Sequence, residues 1–301
     1  MNKLWLSASL VALVAILVAG VSWQASKNKN LSPDDVTLET CKSLVYNNPN
    51  AINLLFFSSK RDAEVYSNYL LNIKPFNSNK KKFNIYYIDD YIPECTHYRS
   101  IALFCDSRDL TLKSSSCPHD YVFVLKKDNP DIRSSSYNLI NSVNTNTELS
   151  VIGHEFGHSF AGLAEEYAPA DLPAGQPNCK LKCEDFGQYS SSCFSECSDS
   201  THYRSIENGI MRTLSSDEYG EYNEQVVSSI ITELSANTDT KTTGLVIDES
   251  SNCAEQSQLV IDAHYFQGNL VIDSLTKTSG CAPNKNIGPG TTSIIQNGKV
   301  V

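Results

Sequence analysis

Two histidines and a glutamate have the types and spacing of a catalytic metal site. His154 and His158 are four residues apart, and Glu155 directly follows the first histidine. Residues at i and i+4 share one face of a helix, so both imidazoles can reach a single divalent ion. Glu155 can then reach a water molecule on that ion and act as general base in the hydrolysis of an amide. The alternative is an amphipathic helix whose histidines only touch the core or solvent.

These residues need a helix to carry them. Thr145 and Glu148 have the spacing of a capping box, which predicts that the helix begins near Thr145. Gly162 can adopt the left-handed conformation that ends many helices, so we expect the helix to stop there. Both histidines would then lie on one capped helix.

The segment HEFGHSFAGLAEEY, from His154 to Tyr167, closely resembles the active-site segment of the IgA peptidase family of zinc metallopeptidases. The pattern of that family is H-E-x-G-H-x-x-x-G-L-x-[DE]-E-Y, and every fixed position is matched. Looser similarity reaches Phe83–Asp89 upstream and Asn208–Thr213 downstream, so it covers residues 50 to 235, apart from the C-x3-C segment at residues 178–198. The apolar N-terminal run and the C-terminal β module are not part of it. The resemblance implies one catalytic Zn²⁺, a protein or peptide substrate and a zincin-type domain. In that fold a mixed, twisted sheet is backed by the active-site helix, and the cleft lies between an upper and a lower half.

The resemblance also implies a third ligand just past the helix. In zincins with the pattern H-E-x-x-H-x-x-G, the helix stops at the glycine and the third ligand follows three residues later. Gly162 comes one residue late, and counting three from it gives Glu165. Glu166 is the alternative, and a ligand elsewhere in the chain stays open. The glutamate that does not bind metal, and Tyr167, are expected to orient an imidazole or cap the turn.

Three further residues are weaker candidates. In related zincins a methionine in a tight turn packs beneath the metal-binding imidazoles, and Met211 follows the turn-forming pair Asn208-Gly209. An incidental core methionine is the alternative. Arg212 and Tyr203 are candidates to stabilise the oxyanion of the tetrahedral intermediate, although either residue type is more often a surface or packing residue.

Composition and charge limit the class of protein. The chain has 301 residues, and its 34 acidic residues outnumber its 24 lysines and arginines, so no broad basic surface for nucleic acid is expected.

Leu4–Trp23 is an uncharged apolar run long enough to span a bilayer. We expect residues 1–25 to be a membrane anchor or, alternatively, a cleaved signal peptide, and residues 26–40 to be a tether. The protein is therefore expected outside the cytoplasm, tethered to the membrane or secreted.

The ten cysteines all follow the apolar run, which favours disulfides in an oxidising compartment. Residues 178–198 contain two C-x3-C pairs, and we expect a cross-linked helical hairpin inserted in the domain. A zinc knuckle is the alternative, but its usual C-x2-C spacing is absent.

The remaining pattern predicts an α/β (α+β) domain over residues 41–237. Strands are expected at Ile52–Ser58, Phe83–Ile88 and Tyr121–Leu125, and helices at Arg61–Ile73 and Glu221–Ala236. Residues 238–301 read as a small β module, with a hairpin over Leu259–Leu275 that turns at Gly268-Asn269.

Two functions from different classes follow from these patterns. The first is an exported zinc endopeptidase that uses Glu155 as general base. The second is a catalytically inactive surface binding or adhesion module on a zincin scaffold. An intact Glu155 between the two histidines favours the first, because a binding module does not need a group that activates water.

Overall fold

The computed structural model describes residues 40–236 as a continuous stretch, together with four strand segments at 257–266, 269–279, 295–296 and 299–300. The predicted anchor or signal peptide, nearly all of the tether, and Cys253 and Cys281 lie outside the described residues. Within the described ranges, no helix combines the length and apolar character needed to cross a bilayer.

A six-stranded mixed sheet forms the centre of the domain. Its strands run in the order β1, β3, β2, β6, β8, β7. The four central strands are parallel, and the edge strands β1 and β7 are antiparallel to their neighbours. The strands of this sheet are β1 (Lys42–Val45), β2 (Ile52–Phe57), β3 (Phe83–Ile88), β6 (Tyr121–Lys126), β7 (Ser135–Tyr137) and β8 (Ile140–Asn144), and a separate hairpin contains β4 (Thr96–Tyr98) and β5 (Ala102–Phe104).

Continuous apolar runs explain the central strands. Every residue of β2 and β3 is buried, as expected for parallel strands covered on both faces. The predictions for β2, β3 and β6 are confirmed. The short edge strands β1 and β7 and the polar strand β8 were not predicted.

Four α-helices within the described residues flank the sheet. They are α1 (Lys60–Leu70), α2 (Arg108–Ser114), α3 (Val151–Ala161) and α4 (Glu221–Ala236). Residues of α1, α3 and α4 share one core cluster with side chains of β2, β3 and β6, whereas Leu110 of α2 belongs to a second cluster. In the first cluster, Phe156 of α3 packs 5.4 Å from Phe123 of the sheet, measured between ring centres. This packing fixes α3, the helix that carries both histidines.

Helix α3 begins six residues later than predicted. The amide of Thr145 still donates to the carbonyl of Lys126, 2.9 Å away, so Thr145 extends the sheet pairing and cannot start a helix. Val151 is the first helical residue. The predicted end is confirmed, because Gly162 is left-handed with φ 60°.

Four disulfides cross-link the described residues. They join Cys41 to Cys117, Cys95 to Cys105, Cys179 to Cys197 and Cys183 to Cys193. Such a set indicates an extracytoplasmic protein.

The cysteine-rich segment 178–198 is cross-linked as expected, but it is not a pair of helices. Cys183–Tyr189 is a 3₁₀ helix interrupted at Gly187. The strand β9 (Phe194–Cys197) contains the last cysteine and pairs with β10 (Asp199–Arg204). The C-x3-C spacing alone could not distinguish two helical turns from a 3₁₀ helix followed by a strand, because disulfides can join the cysteines in either arrangement.

The C-terminal hairpin is confirmed, but its turn does not include Asn269, which was predicted in it and is the first residue of the second strand. Strand β11 (Ser257–Phe266) pairs antiparallel with β12 (Asn269–Ser279), and Phe266 lies opposite Asn269. A further short pair follows, β13 (Ile295–Gln296) with β14 (Lys299–Val300).

Candidate metal centre

His154, His158 and Glu165 come together at the end of α3. The Nε2 atoms of the two histidines are 3.2 Å apart. Nε2 of His154 lies 3.2 Å from Oε2 of Glu165, and Nε2 of His158 lies 3.4 Å from Oε1 of the same carboxylate. Among the described residues this is the one group of three or more His, Cys, Asp or Glu side chains whose ligand atoms are close enough to hold a metal ion.

Hydrogen bonds to the backbone determine which nitrogen of each ring carries a proton. Nδ1 of His154 lies 2.8 Å from the carbonyl oxygen of Ile210, and Nδ1 of His158 lies 2.6 Å from that of Leu163. A carbonyl only accepts, so each Nδ1 is the donor. In a neutral ring, Nε2 then has a free lone pair directed at the other ring and at Glu165.

When both rings are neutral, as ligands of a metal must be, the converging groups are all electron-pair donors. Oε2 of Glu165 is buried and makes no hydrogen bond of good geometry within the described part of the chain. Without a metal ion, a proton on Nε2 of His154 bridges its contact with Glu165, and a bound cation would replace that proton. The cluster fits a metal ion, because a cation satisfies all three lone pairs at once.

The electrostatics of the cluster also favour a cation. Burial opposes a positive charge on His154, but the adjacent Glu165 carboxylate outweighs burial and raises the pKa of His154 to about 9. Burial acts to raise the pKa of Glu165, yet the two histidines hold that pKa well below its usual range. Glu165 is therefore ionised, as a ligand must be.

Glu155 lies next to this cluster and is 5% exposed. Burial raises the pKa of its carboxyl group, although the positive potential of His154 and His158 opposes that effect. A raised pKa makes a carboxylate a better proton acceptor, which suits a general base.

Two glycines of α3 let the side chains of Ile210 and Met211 pack closely against the helix. A Cβ atom on Gly157 would lie 2.6 Å from the sulfur of Met211, and one on Gly153 would lie 2.7 Å from Cδ1 of Ile210. The hydroxyl of Tyr219 donates to the carbonyl of Gly153. Met211 is fully buried, and its sulfur packs against α3 at Gly157, between the two histidines in the sequence.

The backbone around Met211 has a direct role in the cluster. The carbonyl of Ile210 orients His154, and the carbonyl of Met211 accepts from the amide of Glu166 at 2.9 Å. The amide of Arg212 donates to the carbonyl of Gly209 at 2.9 Å, which closes a tight turn. This turn connects one imidazole to the segment that carries the third ligand.

Glu166 is not part of the ligand cluster. It is completely buried, and its Oε1 accepts from Asn178 at 3.1 Å and from Asn223 at 2.8 Å. Burial raises the pKa of Glu166 to about 7, although these two amides act in the opposite direction. The structure therefore places Glu165 beside the imidazoles and Glu166 in the supporting layer.

Arg212 and Tyr203, the two candidates for oxyanion stabilisation, make contacts with other parts of the domain. The guanidinium of Arg212 donates to the carbonyl of Glu166 at 2.9 Å and lies 3.9 Å from the carboxylate of Glu196. The backbone of Tyr203 pairs in both directions with that of Lys180. The guanidinium of Arg212 thus contacts the segment that contains Glu166, and a role of either residue at the oxyanion stays a prediction.

Tyr167, which the sequence predicted to support the site, interacts with Glu165. Burial, and then the charge and hydrogen bonding of Glu165, raise its pKa to about 12, while Arg133 acts in the opposite direction. Tyr167 is thus a neutral donor beside Glu165. No local pattern predicted a role for Arg133, Asn178, Ser198 or Asn223, because each reaches this region from another part of the chain.

Comparison of the chain with models of known protein families gives no match, and comparison with curated proteins gives none.

Proposed function

We propose that this protein is an exported zinc-dependent endopeptidase related to the IgA peptidase family. One observation carries the proposal: two imidazole nitrogens and a carboxylate converge as lone-pair donors, with a buried glutamate adjacent to them. Two histidines and one glutamate form a familiar ligand set of catalytic zinc, which leaves a fourth position open.

The size of the cluster supports zinc. Bonds of 2.0–2.2 Å to nitrogen and oxygen place the ligand atoms of a tetrahedral zinc ion about 3.3 Å apart. The two Nε2 atoms are 3.2 Å apart, Nε2 of His154 is 3.2 Å from Oε2 of Glu165, and Nε2 of His158 is 3.4 Å from Oε1. These separations are compatible with one zinc ion, which His154, His158 and the carboxylate of Glu165 would hold.

When bound, zinc lowers the pKa of a water molecule and polarises the carbonyl of the scissile amide. The protein's own groups perform the proton transfers. Glu155 takes the proton from the attacking water and returns it to the amine that leaves. The carbonyls of Ile210 and Leu163 fix the orientation of the two imidazoles. Tyr167 is placed to donate a hydrogen bond near the ligand carboxylate.

We further propose that residues 1–25 hold the protein at the outer face of a membrane. The uncharged run Leu4–Trp23 supports this placement, and the four disulfides support export. Fractionation of cells that make the full chain tests it. Recovery of the processed chain in the medium would instead establish a cleaved signal peptide.

Measuring bound zinc and proteolysis tests the proposed activity. The full chain is compared with Glu155→Gln and with Glu233→Gln, which changes an exposed glutamate of α4 in the same way. We expect wild type and Glu233→Gln to cleave a denatured protein substrate. We expect Glu155→Gln to retain zinc but lose at least a factor of about 100 in rate, the lower end for removal of a general base.

Equal proteolysis by Glu155→Gln and wild type would contradict the proposal. If all three proteins bound zinc and none cleaved the substrate, the binding-module hypothesis would replace it.

A further inference from the structure

The segment that carries Glu165 is held by the cysteine-rich segment 178–198. Helix α3 ends at Ala161, so Glu165 lies outside the rigid helix that carries the histidines. A ligand on a non-helical segment needs other contacts to fix it relative to the imidazoles, because metal sites tolerate little displacement of their ligands. The backbone of Met211 provides one such contact, to the amide of Glu166. The contacts to Ala164 and to the carbonyl of Glu165 come from the two ends of the segment 178–198.

Asn178 holds the residues on both sides of Glu165. Its Oδ1 accepts from the amide of Ala164 at 2.7 Å, and its Nδ2 donates to the carbonyl of Ala164 at 3.0 Å. The same Nδ2 donates to the carboxylate of Glu166 at 3.1 Å. Asn178 is completely buried, so these bonds do not compete with water.

Ser198 holds Glu165 itself. Its hydroxyl donates to the carbonyl oxygen of Glu165 at 2.8 Å, and its own carbonyl accepts from the amide of Ala170 at 2.8 Å. Ser198 is buried and has a φ of 60°, in the left-handed region that residues other than glycine seldom occupy. The surrounding structure must therefore maintain this conformation.

A disulfide joins the two ends. Cys179 follows Asn178, Cys197 precedes Ser198, and the two cysteines are bonded to each other. Both are buried, and their sulfur atoms lie 3.7 and 3.9 Å from the carbonyl oxygen of Glu165. The neighbouring Cys183–Cys193 disulfide has partly exposed cysteines. Within the described residues, no hydrogen bond joins either of these cysteines to Glu165.

We propose that Asn178, Ser198 and the Cys179–Cys197 disulfide are positioning elements for the third metal ligand. Without them, the backbone of Glu165 would no longer be fixed relative to α3, and the metal would lose affinity. This inference rests on the proposed function only in taking zinc as the ion. It assigns a purpose to the cysteine-rich segment, which lies outside the part of the chain that resembles known peptidases.

Paired removal of each disulfide tests the inference. Zinc affinity is measured by competition with a chromogenic chelator for wild type, Cys179→Ala/Cys197→Ala and Cys183→Ala/Cys193→Ala. Partners that support a metal ligand typically contribute 10- to 100-fold in affinity, so we expect Cys179→Ala/Cys197→Ala to bind zinc about 10 to 100 times more weakly. We expect the affinity of Cys183→Ala/Cys193→Ala to equal that of wild type.

Ser198→Ala provides a second test that leaves every disulfide intact. Its control is Ser115→Ala, because Ser115 is also a buried serine whose hydroxyl donates to a backbone carbonyl, that of Leu112 at 2.6 Å. We expect weaker zinc binding for Ser198→Ala only. Thermal unfolding of the metal-free proteins shows whether a general loss of stability accompanies the change. If Cys179→Ala/Cys197→Ala does not fold, the comparison of the two serine variants decides.

The outcomes separate this inference from the proposed function. If wild type does not bind zinc, the proposed function fails. If wild type binds zinc and Ser198→Ala binds it equally well, the positioning role is overturned while the metal site stands. Equal weakening by Ser198→Ala and Ser115→Ala would also overturn the inference, because it would indicate a non-specific effect of stability.

Discussion

Glu165 and Glu166 are consecutive in the chain, yet their carboxylates have different partners. Glu165 faces the imidazoles of His154 and His158, whereas Glu166 is enclosed by Asn178 and Asn223. The sequence left both open as the third ligand. The structure distinguishes them, because the carboxylate of Glu165 lies beside the two imidazoles and that of Glu166 accepts hydrogen bonds from two asparagines.

The two glutamates should respond differently to the same change. We expect Glu165→Gln to weaken zinc binding by more than about 100-fold, since loss of a supporting partner alone contributes 10- to 100-fold. Glu166→Gln preserves the shape of the side chain and a carbonyl oxygen for the two asparagines, so we expect a loss of about 10-fold or less. Competition with a chelator measures both. A larger loss for Glu166→Gln would reverse the assignment.

The close approach of the Met211 sulfur to α3 should require a glycine at position 157. Alanine favours a helix over glycine by about 1 kcal/mol. A Cβ atom at position 157 would, however, lie 2.6 Å from that sulfur and 3.0 Å from Cε1 of Tyr219, and overpacking of this kind costs about 1–3 kcal/mol. We expect Gly157→Ala to lower the free energy of unfolding in wild type and to be less harmful in a Met211→Ala background. Denaturant unfolding of the four proteins measures this coupling, and equal effects in both backgrounds would refute the contact.

The Cys41–Cys117 disulfide should stabilise the fold more than the Cys183–Cys193 disulfide. The first bridges 76 residues and the second bridges 10. The loop entropy of the unfolded chain then gives about 4.5 kcal/mol for the first and about 2.7 kcal/mol for the second. We expect Cys41→Ala/Cys117→Ala to lower the free energy of unfolding by about 2 kcal/mol more than Cys183→Ala/Cys193→Ala. Denaturant titration without metal measures the difference, and the opposite order would show that native packing outweighs loop entropy.

His119 should contribute to unfolding at low pH. Burial lowers the pKa of His119, although its hydrogen bond to the carbonyl of Cys117 acts in the opposite direction. The unfolded chain then binds more protons than the folded chain as the pH falls below the ordinary value of 6.5. Stability from this group is present above that pH and is lost as the pH falls through the folded pKa.

We therefore expect His119→Asn to weaken the loss of stability between neutral pH and acid. Asparagine retains a side-chain N–H for the carbonyl of Cys117 and does not titrate. Unfolding free energies of both proteins are compared across this range. Parallel curves for the two proteins would show that His119 does not titrate differently on folding.

The sequence predicted those elements whose pattern is local. The apolar strands β2 and β3, the amphipathic helix α4 and the end of α3 at Gly162 all have signals within a few residues. Strand β8 was missed because its buried Asn141, Ser142 and Asn144 look like a loop. Each of these side chains makes a hydrogen bond to a distant part of the chain, which no local pattern shows.

In the candidate site, too, the residues with a local pattern were predicted and those that depend on distant contacts were not. His154, Glu155 and His158 lie within one helical turn, so their spacing was enough to group them. The choice between Glu165 and Glu166 depended on how the chain leaves the helix, which spacing alone did not settle. The supporting contacts of Asn178 and Ser198 depend on the pairing of Cys179 with Cys197, and pairing of cysteines cannot be read from their positions.

X-ray absorption at the zinc edge tests the central claim most directly. The full chain is loaded with one equivalent of zinc, and the ligands are identified by element and distance. We expect two imidazole nitrogens and one carboxylate oxygen at about 2.0–2.2 Å, with the carboxylate signal lost in Glu165→Gln. A shell of sulfur atoms at about 2.3 Å, or a spectrum that Glu165→Gln leaves unchanged, would contradict the site described here.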